Sequence, residues 1–233
     1  MRILTLTWEF PPAITGGLGM ACYGITKELL KKGIEVDLIM PTKQAAYFPL
    51  KKPEDTDIMP VRFTDISDPH KSSTHISAKD LPMLMAGFIS VYHTSNIKGE
   101  NIKSLNQGSF KHLADILKDG RHPMPQVNSY TDMAIRVGSC LDFDAIHAHD
   151  WLTYPAGMAL KKICNKPLIV HVHATEFDRA GGPGDTRIHD IEYMGLDYAD
   201  RVIAVSNYTS DVISSKYCIS REKISTVHNA YST

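Results

Sequence analysis

The chain has 233 residues, with 25 Lys and Arg against 26 Asp and Glu and a formal charge of −1 at pH 7. So even a balance excludes a nucleic-acid binder working through a basic surface, because phosphate contacts draw on clustered cations. Hydrophobic residues at 43% and charged ones at 22% describe a globular chain, long enough for one generous α/β domain or two small ones.

No apolar run nears the roughly 18 residues that cross a bilayer. The start, MRILTLTWEFPP, is broken by Pro11 and Pro12 too early for a secretory signal. Cys22, Cys140, Cys164 and Cys218 lie far apart without a CxxC, the pattern of reduced thiols in a cytoplasmic protein.

Short apolar runs alternate with longer amphipathic ones, which predicts a doubly wound α/β fold, a Rossmann-like parallel sheet with helices on both faces. Arg2–Thr7 and Ile34–Met40 read as strands around a helix over Leu18–Lys32 that ends at Gly33. Pro41–Pro60, rich in Pro and Lys, reads as an insertion or flexible loop, and Pro82–His93 as a further strand. Helices are expected over Phe110–Leu117 and Val127–Cys140. The alternation then becomes clean: strand Asp144–His149, helix Pro155–Cys164, strand Leu168–His173, helix Thr186–Tyr198, strand Arg201–Ser206, helix Asn207–Lys216 capped by Ser206, strand Lys223–Val227.

Ligands of open parallel sheets bind beyond the carboxyl ends of the strands, and three candidate segments fall there. Thr15-Gly16-Gly17-Leu18-Gly19 opens a helix, where glycines permit close approach and free N–H groups favour anionic or hydroxyl-rich partners. Seven residues, Trp8–Ile14, stand between strand and Thr15, and the spacing is G-G-x-G, which speaks against a dinucleotide fingerprint. In His147-Ala148-His149-Asp150-Trp151 alternation puts both histidines on one face, while the carboxylate and indole emerge at the strand's end, a pairing suited to a sugar. A zinc site from His147 and His149 finds no third ligand at telling spacing, so no metal is expected. In His171-Val172-His173-Ala174-Thr175-Glu176 the strand-end His173 and Glu176 can converge on one ligand, with His171 set back in the core. The Gly-rich Asp178–Gly184 after them is expected to be a mobile loop.

These pieces, in this order, resemble the N-terminal half of a two-domain retaining glycosyltransferase of fold type B (GT-B), in particular the glycogen and starch synthases and their sucrose-synthase-like relatives. The resemblance rests on Trp8-Glu9-Phe10-Pro11-Pro12 with Gly16–Gly19, His147–Trp151, His171–Glu176, Ser206–Thr209 and Val227–Ala230. It implies that Gly16 and Gly17 lie against the diphosphate of a nucleotide-sugar donor such as ADP-glucose or UDP-glucose. Asp150 and His173 become catalytic, and Asp150, Trp151, Glu176 and Arg179 line the acceptor side. Ile14 stands where glycogen synthases carry the lysine of K-x-G-G-L, and Ala174 where they carry an asparagine, which broadens the donor and acceptor expected.

The same resemblance implies a second, nucleotide-gripping domain with E-x7-E. The glutamates here (Glu9, Glu28, Glu35, Glu54, Glu100, Glu176, Glu192, Glu222) include no such pair, so residues 1–233 are expected to be the acceptor-side domain, inactive by itself. Expected partners are therefore a nucleotide sugar, a carbohydrate acceptor and the protein's own C-terminal domain, with no nucleic acid and no integral membrane segment. Three alternatives stand beside this: an NAD-dependent oxidoreductase using Glu35 or Asp37 as the acid of the second strand, a metal-dependent hydrolase built on His147–Asp150 and His171–His173, and a non-catalytic module that binds glycan or a partner protein.

Overall fold

The computed structural model describes residues 1–11, 16–41, 46–58 and 107–230. In chain order the elements are β1 (Arg2–Leu6), α1 (Gly17–Lys31), β2 (Glu35–Met40), β3 (Ala46–Leu50), α2 (Asp55–Ile58), α3 (Gln107–Leu117), α4 (Met124–Gly138), β4 (Ala145–His149), α5 (Tyr154–Cys164), β5 (Leu168–Val172), α6 (Glu176–Ala180), α7 (Thr186–Tyr198), β6 (Arg201–Ala204), α8 (Asn207–Lys216) and β7 (Ile224–Thr226). The strands form one seven-stranded sheet in the order β3-β2-β1-β4-β5-β6-β7, parallel except for β3. Strand order reverses between β1 and β4, and a crevice at their carboxyl ends is where such a sheet takes its ligand.

Alternation within the strands builds two cores. β2 sends Val36, Leu38 and Met40 towards Phe10, Cys22 and Leu30, whereas Ile39 joins Leu4, Leu6 and the large cluster under α3, α4, α5 and α7. β4 and β5 are buried on both faces, which is why they read as short, nearly unbroken apolar runs. Helix α5 comes close to this sheet because Gly157 leaves no side chain: a Cβ there would lie 2.9 Å from Leu168 Cδ1. Gly33 turns the chain out of α1 at φ +73°, and the Ser206 hydroxyl accepts the Thr209 N–H at 3.0 Å to start α8.

One expectation is corrected. Part of Pro41–Pro60 is regular structure: β3 is an antiparallel edge strand, and α2 follows it. Phe48 and Leu50 are buried while Pro49 is exposed, so the alternation was present but masked by the proline, which an edge strand tolerates. The strand expected over Pro82–His93 lies outside the described residues. Among the described residues no helix is long and apolar enough to cross a membrane.

Candidate active site

Strand ends β1, β4 and β5 supply the site. The chain leaves β4 through Asp150, whose φ of 59° and ψ of 166° are a conformation that non-glycine residues rarely hold. Such strain persists only where the surroundings impose it. Here they do: Asp150 N–H donates to His171 O at 2.9 Å, its carbonyl accepts from Thr153 N at 3.0 Å, and its Oδ1 accepts the His173 N–H at 2.7 Å. Burial pushes the Asp150 carboxyl up to about 6, against the lowering effect of the His173 N–H and Arg179.

His147, His149, His171 and His173 form a continuous stack on this face, with adjacent ring centroids 4.2–5.4 Å apart. Two nitrogen pairs share hydrogen bonds, His147 Nε2 with His171 Nδ1 at 3.2 Å and His149 Nδ1 with His173 Nε2 at 3.0 Å. The Nε2 atoms of His149 and His171 are buried without a partner. Burial holds the whole stack well below the usual imidazole range, His147 and His173 at about 4, so these rings are neutral at pH 7.

The ligand missing from one strand's spacing comes from its neighbours: His147, His149 and His171, or Cys22, His149 and His173, bring one donor atom each to within 4.8 Å of one another. In the arrangement seen the imidazoles pair with each other, and Cys22 Sγ accepts from the Thr7 hydroxyl at 3.2 Å.

On the β1 side, Gly16 precedes α1 in extended backbone (φ −157°), and its N–H donates to Glu9 Oε2 at 3.2 Å. Among the described residues a Cβ added at Gly16 or Gly17 would meet no atom within 4 Å, and neither backbone has a positive φ that would call for glycine. Glu9 also acts electrostatically on Asp150, its like charge adding slightly to the upward shift of that carboxyl.

Glu176 and Arg179 fall in α6 and are engaged with each other and with α7. Arg179 donates to Ala174 O at 2.7 Å, to Glu176 Oε2 at 3.3 Å and to Glu192 Oε1. Both oxygens of Glu192 accept the Glu176 N–H at 3.0 Å, and Tyr217 OH donates to the same carboxylate. Burial weighs against the Arg179 charge, but Glu192, Asp150 and Glu176 more than offset it.

The stretch expected as a mobile loop is tied in place. Asp178 accepts the Thr175 N–H and hydroxyl at 2.8 Å, Asp185 N–H donates to Glu176 Oε1 at 3.0 Å, and a Cβ at Gly184 would lie 2.7 Å from Glu176 Cγ. Trp151 is 6% exposed and packs into the main core, so its ring offers no open face to a sugar.

Sequence reasoning missed Glu192, Tyr217 and Cys22. Glu192 had a signal: it occupies the apolar stripe of α7, four residues after Ile188 and three before Gly195, all buried.

A doubly wound sheet with neutral histidines and a strained, buried aspartate at its switch point is an α/β domain that takes its ligand at the strand ends. The starch synthase catalytic domain profile matches residues 2–224, and the chain belongs to that family. A glycosyltransferase of Methanocaldococcus jannaschii is 26% identical over 98% of this chain and 46% of its own length. The glycogen synthase of Mycobacterium tuberculosis is 24% identical over 98% of this chain and 48% of its own. Among solved structures, sucrose-phosphate synthase from Thermosynechococcus elongatus superposes with a TM-score of 0.50 at 13% identity, over 97% of this chain and 47% of that one. The chain thus spans about half the length of the relatives it matches.

Proposed function

We propose that this chain is the acceptor-side domain of a retaining hexosyltransferase. The enzyme moves a hexose, glucose foremost, from a nucleotide-diphosphate sugar such as ADP-glucose or UDP-glucose to a hydroxyl of a glycan. The observation that supports this is the pairing of Asp150 with the His173 N–H at the ends of β4 and β5, beside Glu9, which accepts the Gly16 N–H and acts electrostatically on Asp150.

In this reading the N–H groups at the start of α1, bare of side chains, take the donor's diphosphate oxygens. His173, neutral and fixed through its N–H, stands against the transferred sugar, where an uncharged imidazole hydrogen-bonds a hydroxyl without repelling the positive charge that develops at the anomeric carbon. Asp150 sets that histidine and lines the acceptor side, with Glu176 and Arg179 shaping the wall beyond it. The acceptor's proton passes to the departing phosphate, and a C-terminal domain of the same protein supplies the charge that stabilises this leaving group. The enzyme works in the cytoplasm.

The oxidoreductase reading is weaker. Glu35 opens β2 and pairs with Arg2 at 2.6 Å, and Asp37 is buried under the Tyr47 hydroxyl at 2.8 Å, so neither acid stands free at the end of β2 for a ribose.

The test is turnover of the full-length protein with ADP-, UDP- and GDP-glucose and an oligosaccharide acceptor, products resolved by mass spectrometry. Acceptor lengthened by one hexose with at least one donor is expected. Glycan binding without lengthening would overturn the enzyme reading in favour of a binding module.

A further inference from the structure

Glu192 has no role in the reading above, yet two of the backbone groups that follow His173 end on it. The Glu176 N–H donates to Glu192 directly, at 3.0 Å to each oxygen. The Ala174 carbonyl accepts from Arg179 at 2.7 Å, and Arg179 in turn donates to Glu192 Oε1. On the other side the N–H of His173 itself is taken by Asp150 at 2.7 Å. The short segment from His173 to Glu176 is therefore clamped between one carboxylate at the end of β4 and another on α7.

That second carboxylate is costly. Glu192 is 3% exposed on a helix stripe otherwise apolar, and burial raises its pKa despite Arg179 and Tyr217. A buried ion pair is a weak source of stability against a hydrophobic filling of the same volume, whereas a fully partnered polar network fixes geometry. Glu192 is fully partnered: the Glu176 N–H, the Arg179 guanidinium and the Tyr217 hydroxyl all meet it. Tyr217 is held in its turn by His189 Nδ1 at 3.0 Å, so the brace reaches from α7 to the end of α8.

We infer that Glu192 is a positioning residue for hexosyl transfer: through the Glu176 N–H and Arg179 it sets where His173 stands against the reacting sugar. The inference rests on the function proposed above. Glu192 touches neither donor nor acceptor in it and lies away from the donor's side, so substitution falls on kcat while donor affinity is spared.

The experiment is Glu192→Gln in the full-length protein, which keeps the volume but puts an N–H where an oxygen now accepts. Steady-state kinetics are expressed per folded molecule, the folded fraction taken from calorimetric unfolding. We expect the donor KM to stay within about twofold and kcat per folded molecule to fall about tenfold or more, since sub-ångström misplacement of a reacting group carries losses of that order. Glu192→Asp, which keeps the charge but withdraws it by one methylene, is expected to fall between.

A kcat per folded molecule equal to wild type in Glu192→Gln makes Glu192 a structural brace and overturns the inference. Where that variant does not fold, Tyr217→Phe removes one donor and keeps the charge. A two- to fivefold lower kcat per folded molecule is then expected, and an unchanged one overturns the inference. Failure of the function reading is seen separately, as wild-type protein that transfers no hexose from any of the three donors.

Discussion

The wall of the crevice built by β1 and α1 presents little side chain: among the described residues an added Cβ at Gly16 or Gly17 would meet no atom within 4 Å, and the Gly16 N–H is held by Glu9. On the wall built by β4, β5 and α6 most polar groups are engaged with one another, from Asp150 on the His173 N–H to Glu192 beneath Arg179, the Nε2 atoms of His149 and His171 excepted. The first wall leaves room beside its backbone. The second is finished before any ligand arrives, so its side chains are already oriented when substrate comes. Preorganisation of that kind suits the side that places a reacting group, and an open N–H cradle suits the side that receives a flexible anion.

Substitutions separate the two walls. His173→Ala in the full-length protein should lower kcat per folded molecule by roughly 10²-fold or more, read by steady-state kinetics with the folded fraction taken from calorimetry. Unchanged turnover would remove His173 from the chemistry. Asp150→Ala should cost about 1–3 kcal/mol in urea unfolding, because the His173 N–H loses its partner. Asp150→Gly should recover about 1 kcal/mol of that, since glycine accepts the φ of 59° without strain. Equal stability of the two would show that the backbone there is relaxed.

The finished wall should also be the acid-sensitive one. The four stacked histidines titrate below their ordinary 6.5, so between that value and about 4 the unfolded chain binds more protons than the folded one. Stability must therefore fall as pH drops through this window, by about 1.4 kcal/mol per pH unit for each net proton taken up on unfolding. Asp150 and Glu192 work in the opposite sense: burial raises both, Asp150 from 3.8 to about 6, so each keeps a proton in the folded state that the unfolded chain has lost, which offsets part of the histidine contribution. Urea midpoints at pH 7.5 and pH 5 measure the difference, and a flat profile would mean that the histidines are accessible and charged in the native state. On the open wall the smallest structural effect is expected. Gly17→Ala should leave stability within about 0.5 kcal/mol or raise it, while the donor KM rises about tenfold. Loss of stability there would mean that the glycine serves the fold.

The open wall was legible in the sequence and the finished one only in part. A glycine turn ahead of a periodic helix is local, and so is the strand-end placement of Asp150 and His173. The strands β4 and β5 stood out because a strand buried on both faces is written as a short, nearly unbroken apolar run. The histidine stack was hidden because its members come from two strands whose adjacency spacing along either one does not state. Pro49 concealed β3, and the brace on Glu192 was concealed by distance, its partners lying on α6 and at the end of α8. Trp151 misled in the other direction: an aromatic after a strand-end carboxylate reads as a sugar platform, but here it fills the core beneath the turn.

The most direct measurement is the anomeric configuration of the product, followed by proton NMR as the full-length protein transfers glucose from an α-linked nucleotide sugar to an oligosaccharide. An α-linked product, formed from the first turnovers, is predicted. A β-linked product, or none from ADP-, UDP- or GDP-glucose, would contradict transfer with retention at this site.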